Sequence, residues 1–213
     1  MANYPKTFIL GSQSPRRLEL LQQLFPQATI EVVPPVTYQE LGFAGLHQWE
    51  AIENRLQKIA REKSNNVLSQ LLQRDDVIAR QATVVCADTV IVVPLADNLF
   101  TVLEQPSEDA NWKVSVRQWF LDYYIGKSHF ALTALCVDSP DGKRSESITK
   151  TVVTFDSEGS KWLDCYLETE EPRGKAGGYA LQGAGSLFIS KVEGSLSNVI
   201  GLPQRELLQL FDK

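Results

Sequence analysis

The segment TVVCADTVIVV, residues 83–93, places a carboxylate inside the strongest strand candidate of the chain. Nearly all neighbours of Asp88 in this segment are apolar, so the strand is expected to be buried. An unpaired carboxylate in such surroundings is strongly unfavourable, and Asp88 therefore requires a partner or an opening. Two interpretations stay open: a site acid that ligates a divalent metal or takes a proton from water, and a structural aspartate that caps a strand end or turn.

The rest of the chain alternates between strand and helix patterns. Strands are predicted at residues 7–10, 30–33, 83–93, 130–137, 148–155 and 187–192, and helices at 18–24, 47–72, 109–124, 161–167 and 204–211. The turn SPDG joins two of the strands into a hairpin. We find no repeat and no Gly/Ser linker, so residues 1–213 are expected to form a single domain. Alternating helices and strands with one hairpin predict the α/β class with a mixed sheet.

The loop after the first strand, GSQSPRR, combines a helix start with two arginines. Ser14 fits the N-cap and Pro15 the first helical position. Cations in a first helical turn are disfavoured by about 0.3 to 1 kcal/mol each, because the helix dipole is already positive there. A phosphate held by the free N–H groups, by Arg16 and Arg17, and by the hydroxyls of Ser12 and Ser14 would balance this charge. A solvated arginine pair or a modification site is the alternative.

Two further segments supply cations and an amide. Lys63 lies four residues from both Ile59 and Val67, on the apolar stripe of the predicted long helix, so its ammonium should reach inward or into a cleft. A lysine that extends to solvent at the margin of the stripe is the alternative. The run EPRGKAGGYALQG offers Lys175, Gln182 and backbone N–H groups that can surround an anion. An ordinary glycine-rich loop is the alternative, and such loops are common.

The charge and apolar content of the chain exclude several classes of partner. A formal net charge of -5 argues against a broad cationic surface for DNA or RNA. The first ten residues lack a signal-peptide core, and no apolar run reaches the roughly 18 residues of a membrane span. Cys86, Cys136 and Cys165 are far apart among apolar neighbours, without zinc-site spacing, and are predicted to be core residues. We therefore expect a cytoplasmic protein that binds neither membranes nor nucleic-acid polymers.

Taken together, these residues resemble the Maf family of nucleotide pyrophosphatases. Seven blocks follow the order of the family and cover nearly the whole chain: GSQSPRRLELL (11–21), AREK (60–63), ADTV (87–90), GKSHFALTAL (126–135), TVVTF (151–155), KAGGYALQG (175–183) and EGSLSNVIGLP (193–203). The first and the last two blocks are highly specific in combination. The pair Asp88-Thr89 and the run YALQG resemble the branch that acts on dTTP and UTP rather than the branch that acts on 7-methyl-GTP.

The resemblance implies an α/β, two-lobed Maf/ITPase-like fold, in which helices flank a mixed central sheet with a deep cleft, and often a homodimer. It also implies hydrolysis of the α–β phosphoanhydride of a nucleoside triphosphate with Mg²⁺ or Mn²⁺. Carried over by position, Asp88 is the catalytic acid or base and a metal ligand. The implied substrate-binding residues are Ser12, Arg16, Arg17, Lys63, Thr89, Lys175 and Gln182.

Two positions depart from the family pattern. Gln105-Pro106 stands where the family usually has Lys-Pro, and after the second strand Glu40 is the only acid and is displaced along the chain. Loss of a cation beside a transferring phosphoryl group weakens transition-state stabilisation. A catalytically weakened relative that acts as a nucleotide-binding module is therefore the alternative to an enzyme. A third role, in protein interaction, would rest on the aromatic helix predicted at 109–124.

Overall fold

The computed structural model describes residues 4–36, 42–74 and 81–211. In chain order its strands and helices are β1 (Thr7–Leu10), α1 (Pro15–Leu24), β2 (Thr29–Val32), α2 (Trp49–Leu72), β3 (Thr83–Pro94), β4 (Phe100–Leu103), α3 (Trp112–Trp119), β5 (Ser128–Asp138), β6 (Arg144–Phe155), α4 (Leu163–Glu168), β7 (Ile189–Glu193), α5 (Leu196–Ile200) and α6 (Gln204–Phe211). Shorter 3-10 turns lie at Gly159–Trp162, Ala176–Gly178 and Ala184–Phe188. In these ranges no helix combines the length and the hydrophobicity that a membrane crossing requires.

The seven strands form one mixed sheet with the order β2-β1-β3-β5-β6-β7, and β4 pairs with β3. β1 runs parallel to β2 and β3, whereas the other paired strands are antiparallel. β5 and β6 form the predicted hairpin, and both are longer than the sequence pattern predicted. The expected α/β class with a mixed sheet is confirmed.

Side chains along β3 alternate between the two faces of the sheet. Val90 and Val92 pack with the apolar stripe of α2. Val85 and Ala87 point the other way and pack with α1 and α6. Further along the same face, Ile91 packs with α3 and α4. Helices therefore flank both faces of the sheet, as expected.

One edge of β3 is divided between two strands that leave a gap. Pairing of β1 with β3 ends at Leu10 and Val85, and pairing of β4 with β3 begins at Ile91 and Leu103. On this edge, residues 86–90 have no strand partner among the described strands, while β5 covers their other edge. The gap follows the carboxyl end of β1, which is where ligands bind in open α/β sheets.

The predicted aromatic helix is shorter than expected. α3 begins at Trp112 rather than at Asp109, and it ends at Trp119. The last part of the predicted helix, from Phe120 to Tyr124, is a π-helical turn. Phe120 and Tyr124, the first and last residues of this turn, are both fully buried. Trp112 is buried as well and Trp119 is half-buried. Core packing therefore accounts for most of the aromatic residues that suggested an interaction role.

The prediction that all the cysteines belong to the core is wrong for one of them. Cys86 and Cys136 are buried free thiols, but Cys165 is exposed. Burial raises the pKa of both buried thiols to about 12, so they stay protonated at neutral pH. Cys165 lies on α4, whose opposite side faces the core. The buried residues of α4 are Leu163, Tyr166 and Leu167.

Two short elements, β4 and α5, were not predicted. They contain four and five residues, and segments of this length are too short to show a hydrophobic period. β4 forms one border of the gap in the β3 edge. α5 begins after Ser195, whose side chain accepts from the backbone N–H of Asn198, and it ends at Gly201.

Candidate active site

A cavity of about 510 Å³ lies at the gap in the β3 edge. The β1–α1 loop, the middle of β3, the glycine-rich stretch and the end of α5 line it. All eight predicted site residues belong to this lining: Ser12, Arg16, Arg17, Lys63, Asp88, Thr89, Lys175 and Gln182. The structure therefore brings together residues that are widely separated in the sequence. Their location is established, and their roles stay predictions.

The β1–α1 loop brings the start of α1 to the cavity. A Cβ atom on Gly11 would lie 2.2 Å from Cys86 Sγ, so this position can hold only glycine without displacement of the buried thiol. Ser14 caps α1 as predicted, because its Oγ accepts from the backbone N–H of Arg17 at 3.4 Å. The backbone N–H of Ser14 in turn donates to Ser12 Oγ at 3.2 Å. The loop thus holds both serine hydroxyls at the cavity wall.

Asp88 and Lys63 form an ion pair inside the cavity. Lys63 Nζ donates to Asp88 Oδ1 at 2.6 Å, and each side chain is only 11% exposed. Lys63 reaches the carboxylate from the stripe of α2 that also buries Ile59 and Val67, so the prediction that its ammonium points inward is confirmed. Asp88 has the partner that its burial requires. A carboxylate keeps further lone pairs with which to accept a proton or bind a metal.

Arg17 is oriented by several protein acceptors. Its Nε donates to Gly201 O at 2.9 Å, one terminal nitrogen donates to Ser12 Oγ at 3.2 Å, and the other donates to Thr89 Oγ1 at 3.0 Å. Thr89 Oγ1 lies 2.9 Å from Thr133 Oγ1. A planar guanidinium with acceptors in several directions is fixed in one orientation.

Arg16 and Lys175 are two cations in an unfavourable electrostatic environment. Burial lowers the pKa of the Arg16 guanidinium, and the charge of Glu171 partly restores it. Burial also lowers the pKa of the Lys175 ammonium, the positive charge of Arg16 lowers it further, and Glu171 again opposes the shift. Lys175 Nζ donates to Arg173 O at 3.4 Å. Because two neighbouring cations have lost part of their hydration, a bound polyanion would stabilise both.

Glu171 organises the glycine-rich stretch and was not predicted as a site residue. Its carboxylate accepts from the backbone N–H groups of Ala184 at 2.7 Å and Gly185 at 3.0 Å. The Tyr166 hydroxyl donates to it at 3.4 Å. Glu171 is the first residue of the run EPRGKAGGYALQG. The sequence of this run does not show that the chain folds back and brings the N–H groups of the two residues that follow the run to the Glu171 carboxylate.

α5 and Tyr179 complete the cavity wall and were also missed. Asn198 is fully buried, and its Nδ2 donates to Ala131 O and to Thr151 Oγ1, each at 3.0 Å. Tyr179 is buried against the cavity, and its hydroxyl lies 2.8 Å from His129 Nε2. The block EGSLSNVIGLP was the only signal for α5, and it assigned no role to Asn198. The residues of this segment in the lining are Val199, Ile200 and Gly201.

The two family departures fall differently in the structure. Gln105 is an exposed residue of the cavity lining. The cavity therefore lacks the lysine that the family usually has at this position. Glu40 lies outside the described residues. Asp88 is the one acidic side chain among the described residues of the lining. In the described part of the chain, no group of three or more His, Cys, Asp or Glu side chains is placed to hold a metal ion.

Sequence comparisons with known proteins agree on one family. The sequence model of the family described as "Maf-like protein" matches residues 7–213. The dTTP/UTP pyrophosphatase of Chelativorans sp. (strain BNC1) is 34% identical over 209 residues, which cover 97% of this chain and 90% of that protein. The dTTP/UTP pyrophosphatase of Granulibacter bethesdensis is 32% identical over 220 residues, 99% of this chain and 96% of that protein. A solved nucleoside-triphosphatase / dITP/XTP pyrophosphatase from Mycobacterium abscessus overlaps 71% of this chain and 75% of its own chain, with a TM-score of 0.41 and 14% identity.

Proposed function

The chain belongs to the Maf family, and from this premise we propose that it hydrolyses a nucleoside triphosphate to the nucleoside monophosphate and pyrophosphate. The observation that carries the proposal is the meeting of the Lys63–Asp88 ion pair with Arg16 and Lys175 around one cavity. Relatives that align over nearly their full length are named dTTP/UTP pyrophosphatases. We therefore propose dTTP and UTP, or a modified nucleotide, as substrates.

The charge of the cavity supports binding of a triphosphate. Four cations, Arg16, Arg17, Lys63 and Lys175, face one carboxylate in the described lining. Arg16 and Lys175 have lost part of their hydration through burial, and a bound polyanion would stabilise their charged forms. The free N–H groups at the start of α1 add further donors to phosphate oxygens. Positioning and charge neutralisation supply most of the catalysis in phosphoryl transfer.

Asp88 is the group we propose to accept the proton. A water molecule attacks the α-phosphorus, its proton passes to the Asp88 carboxylate, and the bond from the α-phosphorus to the bridging oxygen breaks. Pyrophosphate leaves with the electron pair of that bond. Lys63 donates to Asp88 Oδ1 at 2.6 Å and orients the carboxylate for this role. General base catalysis of this kind contributes about 100-fold to 10,000-fold in rate.

A divalent metal, Mg²⁺ or Mn²⁺, is the cofactor that we propose. Mg²⁺ is commonly held by one or two carboxylates together with substrate phosphates rather than by a cage of protein ligands alone. A lining with Asp88 as its acidic side chain fits that mode. Asp88 would hold the metal, and the bound ion would supply charge neutralisation at the phosphate oxygens.

The nucleotide-binding alternative rested on Gln105. Its amide replaces one cation, but the four cations of the lining and the Asp88 carboxylate are all present. Full-length relatives carry enzyme names. The binding-module alternative is therefore not favoured.

The direct test is a pyrophosphate-release assay with dTTP, UTP and a panel of other canonical and modified nucleotides, with Mg²⁺ or Mn²⁺ present. We expect release from dTTP or UTP by the wild type, its loss on chelation of the metal, and release at least about 100-fold slower by Asp88→Asn. Asp138→Asn is the matched control, because Asp138 is equally buried but does not line the cavity. Circular dichroism establishes that each variant is folded. Absence of turnover on every nucleotide by folded wild type would refute the proposal.

Two further features are proposed from the family resemblance: two lobes around the cavity within one domain, and assembly as a homodimer. A cytoplasmic location is proposed from the sequence, whose first ten residues lack a signal-peptide core and whose cysteines lack zinc-site or disulfide spacing. Sedimentation equilibrium distinguishes a 23.8 kDa monomer from a dimer. Cell fractionation with an antibody to the chain tests the location.

A further inference from the structure

Thr133 is a fully buried threonine on β5 that lies directly opposite Thr89 of β3. Their hydroxyl oxygens are 2.9 Å apart. Thr133 Oγ1 also donates to the backbone carbonyl of Asn198 at 3.3 Å. Thr133 does not belong to the described lining of the cavity, yet its hydroxyl contacts a residue that does.

The two hydroxyls link Arg17 to the backbone of α5. Thr89 Oγ1 accepts from Arg17 at 3.0 Å. It shares a hydrogen bond of 2.9 Å with Thr133 Oγ1, in which either oxygen can donate. Thr133 Oγ1 also has the carbonyl oxygen of Asn198 as an acceptor at 3.3 Å. We call this series of contacts, Arg17 to Thr89 to Thr133 to Asn198 O, the hydroxyl chain.

The hydroxyl chain ends on the same segment that Arg17 contacts directly. Arg17 Nε donates to Gly201 O at the end of α5, and the hydroxyl chain ends at Asn198 inside α5. Asn198 is itself held by hydrogen bonds from its amide to Ala131 and Thr151. Arg17 is therefore tied to one rigid segment at two points. Hydrogen bonds linked in a network also polarise and strengthen one another.

We propose that Thr133 is a positioning residue, which acts through Thr89 to hold the Arg17 guanidinium in the orientation that the substrate phosphates require. This inference rests on the proposed function, because it assigns Arg17 to phosphate. It also gives Thr89 a role in orienting Arg17, because Thr89 Oγ1 accepts directly from the guanidinium.

The chain offers a matched set of variants. Thr133→Val keeps the size of the side chain and removes the hydroxyl, whereas Thr133→Ser keeps the hydroxyl. Thr149 is the control, because it lies directly opposite Thr133 on β6, is also buried, and has a hydroxyl without a hydrogen-bond partner among the described residues. Thr149→Val thus removes a neighbouring hydroxyl that does not belong to the hydroxyl chain.

The first readout is hydrogen exchange of the Arg17 Nη–H protons, one of which donates to Thr89, followed by NMR of arginine-labelled protein without nucleotide. We expect exchange to be faster by about tenfold or more in Thr133→Val, the effect of losing one buried hydrogen bond. Exchange in Thr133→Ser and Thr149→Val should match that of the wild type. This readout needs no turnover, so it tests the hydroxyl chain even if the protein releases no pyrophosphate.

The second readout is pyrophosphate release under steady-state conditions. We expect kcat/KM to fall by about tenfold or more in Thr133→Val, while Thr133→Ser and Thr149→Val keep wild-type values. In a Thr89→Val background the hydroxyl chain is already broken, so adding Thr133→Val should cause no further loss. A role in stability alone would not produce this dependence on Thr89.

Three results would overturn the inference: unchanged Arg17 exchange in Thr133→Val, an equal effect of Thr149→Val, or additive losses from Thr89→Val and Thr133→Val. If Thr133→Val does not fold, Thr133→Ala removes the same hydroxyl from a smaller side chain. Faster exchange of the Arg17 Nη–H protons in Thr133→Ala supports the hydroxyl chain, and unchanged exchange refutes it.

Discussion

His129 should make the protein less stable in mild acid. The residue is fully buried on β5, beneath the cavity wall formed by Tyr179. Burial lowers its pKa from 6.5 to about 3. Protonation would require an acceptor for a second N–H, and Nδ1 has no hydrogen-bond partner among the described residues. His129 is therefore neutral in the folded protein throughout the mildly acidic range.

The direction of the pH effect follows from proton binding. Between pH 6.5 and about 3 the unfolded chain protonates His129 and the folded chain does not, so the unfolded state binds more protons and the free energy of unfolding falls as pH falls. Above pH 6.5 both states are neutral and the contribution vanishes. The slope is about 1.4 kcal/mol per pH unit. A change from pH 7.5 to pH 5.0 should therefore cost about 2 kcal/mol through this residue alone.

Urea unfolding at the two pH values measures this cost. His129→Gln removes the titrating group, so its free energy of unfolding should decline less between pH 7.5 and pH 5.0 than that of the wild type, by about 2 kcal/mol. His47→Gln is the control, because the chain has two histidines and His47 is exposed. Carboxylates that titrate in this range affect all three proteins alike. If the free energy of unfolding falls by the same amount in His129→Gln and in the wild type between pH 7.5 and pH 5.0, His129 is not buried as described.

Three further changes test the cavity. Asp88→Asn removes the proton acceptor, so pyrophosphate release should fall at least about 100-fold; retained turnover would exclude Asp88 as the base. Because burial and Arg16 lower the pKa of Lys175 from its ordinary value of 10.5, triphosphate affinity should decline as pH rises through that lowered pKa, and calorimetric titration of Lys175→Gln should show the decline flattened. Glu171→Gln removes the charged acceptor of two backbone N–H groups and should lower the free energy of unfolding in urea by about 1 to 3 kcal/mol; an unchanged urea midpoint would contradict its proposed place beneath the glycine-rich stretch.

Local patterns predicted much of the framework. The sequence Ser14-Pro15 marked the start of α1, because an N-cap hydroxyl and a proline both favour a first helical turn, and the helix begins there. The position of Lys63 on the apolar stripe of α2 predicted an inward ammonium. The apolar surroundings of Asp88 predicted that it needs a partner. Each of these inferences depends on residues close together in the chain.

The remaining features depend on contacts between distant segments. The expected burial of Asp88 predicted that it needs a partner but did not identify Lys63 as that partner. The packing of α2 on β3 determines which cation is close to Asp88. Glu171 looked like part of an ordinary loop until the chain turned back to place two N–H groups against it. Thr133 looked like a typical strand residue, and only its register with Thr89 shows that its hydroxyl belongs to the site.

Hydrolysis of dTTP in water labelled with oxygen-18 locates the bond that breaks. Attack at the α-phosphorus beside Asp88 places the label in dTMP and releases unlabelled pyrophosphate. We therefore expect label in dTMP alone. Label in the pyrophosphate, or formation of dTDP with orthophosphate, would contradict cleavage at the α-phosphorus in this cavity.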